Sequence, residues 1–576
     1  MQKLQNGQEI KGDGLESERE KAMRRIITEE WSGEGLTLER LADVIRRDGI
    51  SGSDWAFLDS SLKGPDGRYS ILGLYPYLEA EEREGELFVN GERRTGDLLA
   101  FLKDYIENNR DRQNRESGTG GERKTAGYGT SGEQKEAGCE RGGERKLAGC
   151  ESGSERKKDE SGTDSKRRDS GPVMTAGAIG WLSYDYGRKR AGVPGCHESD
   201  GSSVDGGLPD GRFVFYDLYL VEDLLENRIW ICTGENLAGI GNYREKVRMW
   251  AEETADLCAE RIRNDKRIVR HDPDRKEERE KADISGDSER KDAGEGTEEV
   301  IFSSDYGEED YEETIRRLVE YMRAGDIYVM NMTRRITAEH IGDPYQMFRY
   351  LRKYNPSPFG AFLSFGEYEI VCASPERFLR VRDGAVETSP IKGTRKRGDT
   401  PEEDQRLRQE LAESEKDKSE LLMIVDLERN DLNRVCVPGS VKVPRMYYIE
   451  SFATVHHLIS DVTGRLRPDC SAVDLLDAAF PGGSITGAPK RRAMEIIDEQ
   501  ENSSRGLYTG VIGYLGLDGN CDFNIVIRTA VCRNGCCSIG VGGGITVDSD
   551  PEFEYEETNQ KAAALLEAIR AVNHML

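Results

Sequence analysis

The chain has 576 residues, with 82 basic against 109 acidic side chains and a formal net charge of −27. That balance repels nucleic acid and anionic membranes alike, and no run of about 18 or more apolar residues marks a membrane span. The N-terminal MQKLQNGQEIKGDG has no apolar core and is no secretory signal, so the expected location is the cytoplasm. The twelve cysteines are scattered, form no C-x-x-C and do not combine with the six histidines at metal-ligand spacing. They read as free thiols in a reducing compartment.

In chain order, a first foldable block spans 30–262. PVMTAGAIGWLSYDYGR, from residue 172, alternates like a strand entering a turn, and RFVFYDLYLVEDLLENRIWICTG reads as two strands around a short turn. The block is interrupted at 109–171 by a repeat of period 11: GGERKTAGY from 120, SGEQKEAGC from 131, GGERKLAGC from 142 and GSERKKDES from 153. An 11-residue period can make a right-handed coiled coil, but these units offer no apolar seam. They cannot bury enough surface to offset chain entropy and read as a disordered insertion. A polar linker follows at 263–299.

The second block, 300–572, mixes helices (YEETIRRLVEYMRAG, KDKSELLMIVDLERNDL, EYEETNQKAAALLEAIRAV) with strand pairs (AFLSFGEYEIVCAS, VIGYLGLDGNCDFNIVIRTAVCR, CSIGVGGGITV). Hairpins between helices, without strict βαβ alternation, predict an α+β architecture of antiparallel sheets. Within it, SPIKGTRKRG (389–398) reads as a loop crowded with cations. Arg395, Lys396 and Arg397 look like solvated charge. Lys392 differs, because Pro390-Ile391 and Gly393-Thr394 flank it with small or apolar groups, and an amine shielded from water is easier to neutralise and use as a nucleophile.

FPGGSITGAPK has Gly482 and Gly487 at the spacing of a nucleotide phosphate loop, but Ala488-Pro489 displace Lys490 and exclude that motif. The run Gly542, Gly543, Gly544 is either a bulge or a place where backbone amides approach an anion. Glu376 follows a Ser-Pro turn, Glu420 lies in a helix, and Glu557 sits among Glu554, Glu556 and Thr558 at the start of another. Taken singly, each is an ordinary solvated glutamate. Two buried carboxylates from separate helices could instead hold Mg²⁺. His457, in TVHHLISDV, reads alone as a core histidine.

The order PFGAFL, ASPERF, PIKGTR, DLERNDL, TVHHL, FPGGSITGAPK, GVIGYLG, NIVIRTA and GGGITVDSDPEFEYEET resembles the chorismate-utilising enzymes over essentially all of 300–572. FLDSS, GRYSILG and GWLSYDYGR extend the likeness more loosely into the first block. The resemblance implies two antiparallel sheets packed between outer helices (α/β/β/α). It also implies that Glu376 is the general acid at the departing C4 hydroxyl and that Glu420 and Glu557 are the Mg²⁺ carboxylates. Thr394, Tyr508, Arg528, Lys561 and the amides of Gly542, Gly543 and Gly544 match groups around the two substrate carboxylates, and His457 lines the ring site. Ser60, Arg68, Tyr69, Ser70, Pro358 and Phe359 match a tryptophan pocket of relatives.

Within the family, anthranilate-forming members resemble P-I-A-G-T at the cationic loop and aminodeoxychorismate-forming members P-I-K-G-T. Lys392 thus takes the place of a nucleophile that adds at C2 of chorismate before ammonia adds at C4, on the route to p-aminobenzoate and folate. Water-using relatives place a lysine base in the strand after the G-D turn, where GDIYVMNMT has Val329-Met330. Ammonia-using relatives mostly have glutamine at the Val329 position, so the chain departs from both. Asn433 also replaces a common glycine. The competing expectations are an anthranilate-forming enzyme and a non-catalytic binding module of this fold. No G-x-C-x-G glutaminase elbow is present, as Gly535-Cys536-Cys537-Ser538-Ile539 misses it, so the resemblance implies ammonia from a separate glutamine amidotransferase subunit.

One prediction needs only this pattern. Deleting 112–168 is expected to leave melting temperature and ammonia-dependent turnover nearly unchanged. A loss of several kcal/mol in denaturant melts would show that the repeats pack on the domain.

Overall fold

The structure is a computed structural model describing residues 26–31, 36–47, 54–64, 66–116, 171–195, 206–234, 245–254, 300–452 and 455–573. The N-terminal segment before residue 26, the repeats and the linker 263–299 lie outside the described residues. The helix Leu98–Glu116 runs past residue 109, where the sequence pattern begins the insertion. Among the described residues no helix is long and apolar enough to cross a membrane, and all eight described cysteines are free.

Every strand pairing among the described residues is antiparallel. Two series leave the long strand Gly211–Asp223. One passes through Tyr69–Arg83, Trp55–Asp59, Phe359–Ser364, Glu369–Ser374, Thr529–Arg533 and Cys536–Ile545 to Val329–Glu339. The other passes through Gly177–Leu182, Val511–Gly516, Cys521–Ile525, Arg377–Arg382 and Ala385–Thr388 to Val455–Arg465. Each series therefore crosses from the first sequence block into the second, at Trp55–Asp59 against Phe359–Ser364 and at Gly177–Leu182 against Val511–Gly516.

Three buried clusters define the layers. Ala56, Ile71, Leu363 and Ile370 of the first sheet meet Ile179, Trp181, Ile512 and Tyr514 of the second. Helices Leu38–Arg47, Pro344–Tyr354 and Pro551–Asn573 cover the outer face of the first sheet through Leu41, Phe348 and Ile569. Helices Leu98–Glu116, Glu415–Asn433, Ala472–Ala479 and Lys490–Gln500 cover the second through Leu102, Leu421, Leu475 and Ile496. This is the expected α/β/β/α arrangement.

Where the second sheet bends around the core, Gly180 and Gly513 lie directly opposite each other. A Cβ on Gly513 would meet the Asp522 carbonyl and come within 2.7 Å of the Phe523 ring, and one on Gly180 would meet the Arg212 carbonyl and the Phe213 ring at the same distance. The two phenylalanines occupy the room the glycines leave, their rings 6.2 Å apart and edge to face. Gly513→Ala is therefore expected to cost about 1–3 kcal/mol by overpacking, read as a lower midpoint in urea unfolding. An unchanged midpoint would mean that the strands shift freely.

Candidate functional site

Two helices and several strand ends converge on a cavity of about 610 Å³, within the roughly 300–1,000 Å³ usual for small-molecule sites. Its lining includes Glu376, Lys392, Thr394, Glu420, His457, Tyr508, Arg528, Gly542, Gly544, Glu557 and Lys561. These are all the catalytic, substrate and metal candidates except Gly543, which lies beneath the wall. The sequence brought them from eight separate stretches.

Glu376 follows Ser374-Pro375, in a turn held by Ser374 Oγ on Ile525 O at 2.6 Å and by Ile525 N donating to Glu376 O at 3.0 Å. Burial pushes its carboxyl up, against the pull of the Lys392 amine, the Ser484 hydroxyl and the Ile391 N–H. Lys392 is not in a loop as expected. It belongs to the strand Ile391–Lys396, whose register against Val455–Arg465 skips between Lys392 and Thr394. Gly393 takes up the skip at φ +76°, and a Cβ there would come within 2.8 Å of Asp417. Only glycine suits that position.

The Lys392 Nζ donates to the Ser484 carbonyl at 3.1 Å. Its surroundings are more polar than its sequence neighbours indicate, because Glu376 and Glu420 both feel its charge. Arg395, read as solvated, instead bridges Glu410 at 2.9 Å and Asp417 at 3.2 Å over the cavity. Arg397 is tied to Asp404 at 2.6 Å.

The glycine run forms no bulge. The ladder between Val329–Glu339 and Cys536–Ile545 continues without a register shift through Gly542, Gly543 and Gly544. The other edge of this strand is paired only over Cys536–Ile539, so beyond Ile539 it borders the cavity. The missing side chains make room: a Cβ on Gly543 would lie 2.9 Å from Glu557 Oε2 and 3.2 Å from Glu554 Oε2, and one on Gly544 would lie 3.4 Å from Lys392 Nζ.

The cations around this strand are partly available. Lys561 Nζ donates to Gly542 O at 2.8 Å and pairs with Glu557 at 3.2 Å, while burial pulls its pKa down. Arg528 sits at φ +52° with its charge disfavoured by burial, and it forms no ion pair among the described residues. His457 is not the core histidine of its strand. That is His456, 1% exposed and held by Ser451 and Asp404 at 2.8 and 3.0 Å. His457 lies 2.9 Å through Nδ1 from Thr394 Oγ1, and burial drops its pKa to about 4, leaving a neutral ring near pH 7.

Glu420, Glu557 and a third carboxylate, Glu554, share the cavity. Among the described residues no three His, Cys, Asp or Glu side chains gather closely enough to hold a metal by themselves. A donor set of two or three carboxylates completed by water and substrate oxygens still suits Mg²⁺. Glu554, 3% exposed, was missed by the sequence reading; its signal is the three-residue helical spacing to Glu557. Asn331 was missed too, although it stands two residues beyond Val329, on the same side of a strand. Val329 itself is buried and paired with Ala488. Lys490 turns away to pair with Asp431 at 2.5 Å.

The tryptophan candidates divide. Ser60, Tyr69, Pro358 and Phe359 line a separate cavity of about 70 Å³. Arg68 instead pairs with Asp223 at 2.7 Å, and Ser70 Oγ donates to Asp59 at 3.1 Å. The Ser60 hydroxyl is occupied by the Tyr69 and Pro358 carbonyls at 2.8 and 2.9 Å.

Comparison with known proteins assigns the chain to a family. The sequence profile of the family described as chorismate binding enzyme matches residues 110–567. The chain belongs to that family, and it is a chorismate-utilising enzyme. It is 39% identical over 398 residues to anthranilate synthase component 1 of Acetivibrio thermocellus, covering 69% of this chain and 76% of that one. It is 38% identical over 393 residues to aminodeoxychorismate synthase component 1 of Escherichia coli K12, covering 68% and 77%. The same-named protein of Klebsiella aerogenes is 49% identical over 263 residues, 46% of this chain and 58% of that one. Among solved structures, anthranilate synthase component I of Streptococcus pneumoniae TIGR4 superposes with a TM-score of 0.62 at 28% identity, covering 88% of this chain and 93% of that one.

Burial, reinforced by Glu557 and opposed by the Ser549 hydroxyl, pushes Glu554 from 4.5 to about 7. A raised acid keeps its proton in the fold when the unfolded chain has lost it. Its stabilising contribution is complete below about pH 4.5 and is lost as pH rises to about 7. Glu554→Gln is therefore expected to match wild type near pH 4.5 in metal-free thermal melts and to exceed it increasingly up to pH 8. Parallel curves would refute the buried carboxyl.

Proposed function

We propose that this chain is the chorismate-aminating component of an aminodeoxychorismate synthase. It takes chorismate and ammonia to 4-amino-4-deoxychorismate. The observation that carries this reading is the Lys392 amine in the cavity, held on the Ser484 carbonyl and facing the buried acid Glu376. Lys392 Nζ adds at C2, the ring double bonds shift, and the C4–O bond breaks as Glu376 gives its proton to the departing hydroxyl. Water leaves. Ammonia then adds at C4, the C2–N bond to lysine breaks, and the proton shed by the new ammonium returns to Glu376.

Arg528, Lys561, Tyr508, Thr394 and the strand edge at Gly542 to Gly544 receive the two substrate carboxylates, and the neutral His457 ring lines the ring site. Glu420, Glu554 and Glu557 would hold Mg²⁺, which supplies positive charge beside a substrate carboxylate when bound. The relatives are named as component 1, which supports a partner component; in this reading it is a separate glutaminase that delivers ammonia, and both work in the cytoplasm. The 39% identity to an anthranilate synthase component 1 favours a second reading, in which ammonia adds at C2 and pyruvate is eliminated.

One assay separates them. With chorismate, Mg²⁺ and an ammonium salt near pH 8.5, the purified chain is expected to yield 4-amino-4-deoxychorismate, and a chelator should stop it. Lys392→Ala is expected to lose about 10³-fold or more, whereas the exposed Lys396→Ala is nearly silent. Mass analysis during turnover should find an adduct on the Lys392 peptide. Fluorescent anthranilate with free pyruvate and no adduct would overturn the assignment.

A further inference from the structure

Lys392 stands on a strand and Glu376 in the turn between two others, and Ser484 lies against both. Ser484, 5% exposed, lies in the short 3₁₀ turn Gly483–Ile485 on the cavity wall. Its carbonyl receives Lys392 Nζ at 3.1 Å and Asn331 Nδ2 at 3.4 Å. Its hydroxyl lies beside the Glu376 carboxyl on the same cavity wall and draws that acid's pKa down. The turn itself has little freedom. Thr486 Oγ1 closes it on Gly482 O at 2.8 Å, Asn331 N donates to Thr486 O at 2.8 Å, and Arg505 Nη1 donates to Ile485 O at 2.7 Å. A Cβ on Gly483 would lie 3.1 Å from Leu427, so the turn is also packed against the helix Glu415–Asn433 that carries Glu420.

We propose that Ser484 is a positioning residue that clasps acid and nucleophile together, its hydroxyl aiming Glu376 and its carbonyl aiming the amine of Lys392. This rests on the chorismate reading above. The amine has a fixed acceptor for one N–H, which holds its nitrogen at one place on the cavity wall. The acid has two donors beside it, the Ser484 hydroxyl and the Ile391 N–H, which hold the carboxyl facing the cavity where the departing hydroxyl would take its proton. Both groups are indexed to the same rigid turn, so their separation is set before substrate arrives, and geometry of that kind raises kcat more than it tightens binding. Asn331, donating to the same carbonyl, keeps that acceptor in place from the strand side.

The test follows total chorismate consumption, so it decides the proposal whichever product forms. Ser484→Ala is expected to lower kcat roughly tenfold to a hundredfold, with KM for chorismate within about threefold. Ser484→Thr, which keeps the hydroxyl, should recover most of the loss. Thr486→Ala opens the turn without touching either reacting group and serves as the control: it should lower the melting temperature while its kcat stays well above that of Ser484→Ala. A Ser484→Ala kcat within twofold of wild type would overturn the clasp. So would an equal kcat loss in Thr486→Ala at unchanged KM, since turn integrity alone would then explain it. Consumption that gives anthranilate overturns the proposed function but leaves Ser484 judged by the same ratios. No consumption by the wild-type protein overturns both.

Discussion

The site depends on one buried ion pair. Arg505 and Glu501 are 2% and 4% exposed and 2.7 Å apart, and burying two charges is costly unless every hydrogen-bonding position is used. Here it is. The guanidinium gives Nε and Nη2 to Glu501, Nη1 to Ile485 O and to Thr509 Oγ1, and its other Nη2 hydrogen to Asn331 O at 2.7 Å. Glu501 in turn accepts the Thr333 N–H at 3.0 Å and hydroxyl at 2.9 Å. The pair therefore locks the Ser484 turn to the strand bearing Asn331 and Thr333, which is the strand opposite Gly544 and Gly542. The Tyr184 ring, 4.5 Å from the guanidinium, closes the cluster from the first sequence block.

That anchoring explains how a strongly acidic chain can present a site for an anion. Arg528, Lys561 and Lys392 reach the cavity from separate elements, and none could be held near the others in water at this density. Fixed backbone and carboxylates hold them instead: Gly542 O and Glu557 for Lys561, Ser484 O for Lys392. Burial then works on both signs, raising Glu376, Glu420 and Glu554 and lowering Arg528 and Lys561. The cavity therefore keeps cations and carboxylates side by side, each disfavoured by burial.

Much of this was legible because family motifs keep chemistry in local words. ASPERF, PIKGTR and GGGITV named residues that the structure places on one wall. The errors have a common origin in packing that spacing does not encode. His456 and His457 are adjacent on an alternating strand, and only the fold says which faces the core. Lys392 looked like loop because Pro390 and Gly393 punctuate it, yet the strand tolerates both by skipping register at Gly393. Glu554 was hidden in an acidic run whose helical phase was not followed. The two blocks of sequence look separable because the pairing of Trp55–Asp59 with Phe359–Ser364 spans some 300 residues and leaves no local trace.

Overall likeness does not choose among reactions, and the geometry shows why. Relatives named for anthranilate and for aminodeoxychorismate synthesis match with similar identities of 39% and 38% over similar lengths. In this chain the cavity is framed by paired sheets, a strand stripped to glycine, facing carboxylates and buried cations. Identity over hundreds of residues counts that scaffold. In the proposed reaction the carbon that receives nitrogen depends on far less, on whether the cavity offers an amine that can occupy C2 first. In this chain the amine is Lys392, and the carbonyl that holds it belongs to the same turn as the hydroxyl on the acid. Under the proposed function, one side chain on that rigid frame decides which carbon receives nitrogen.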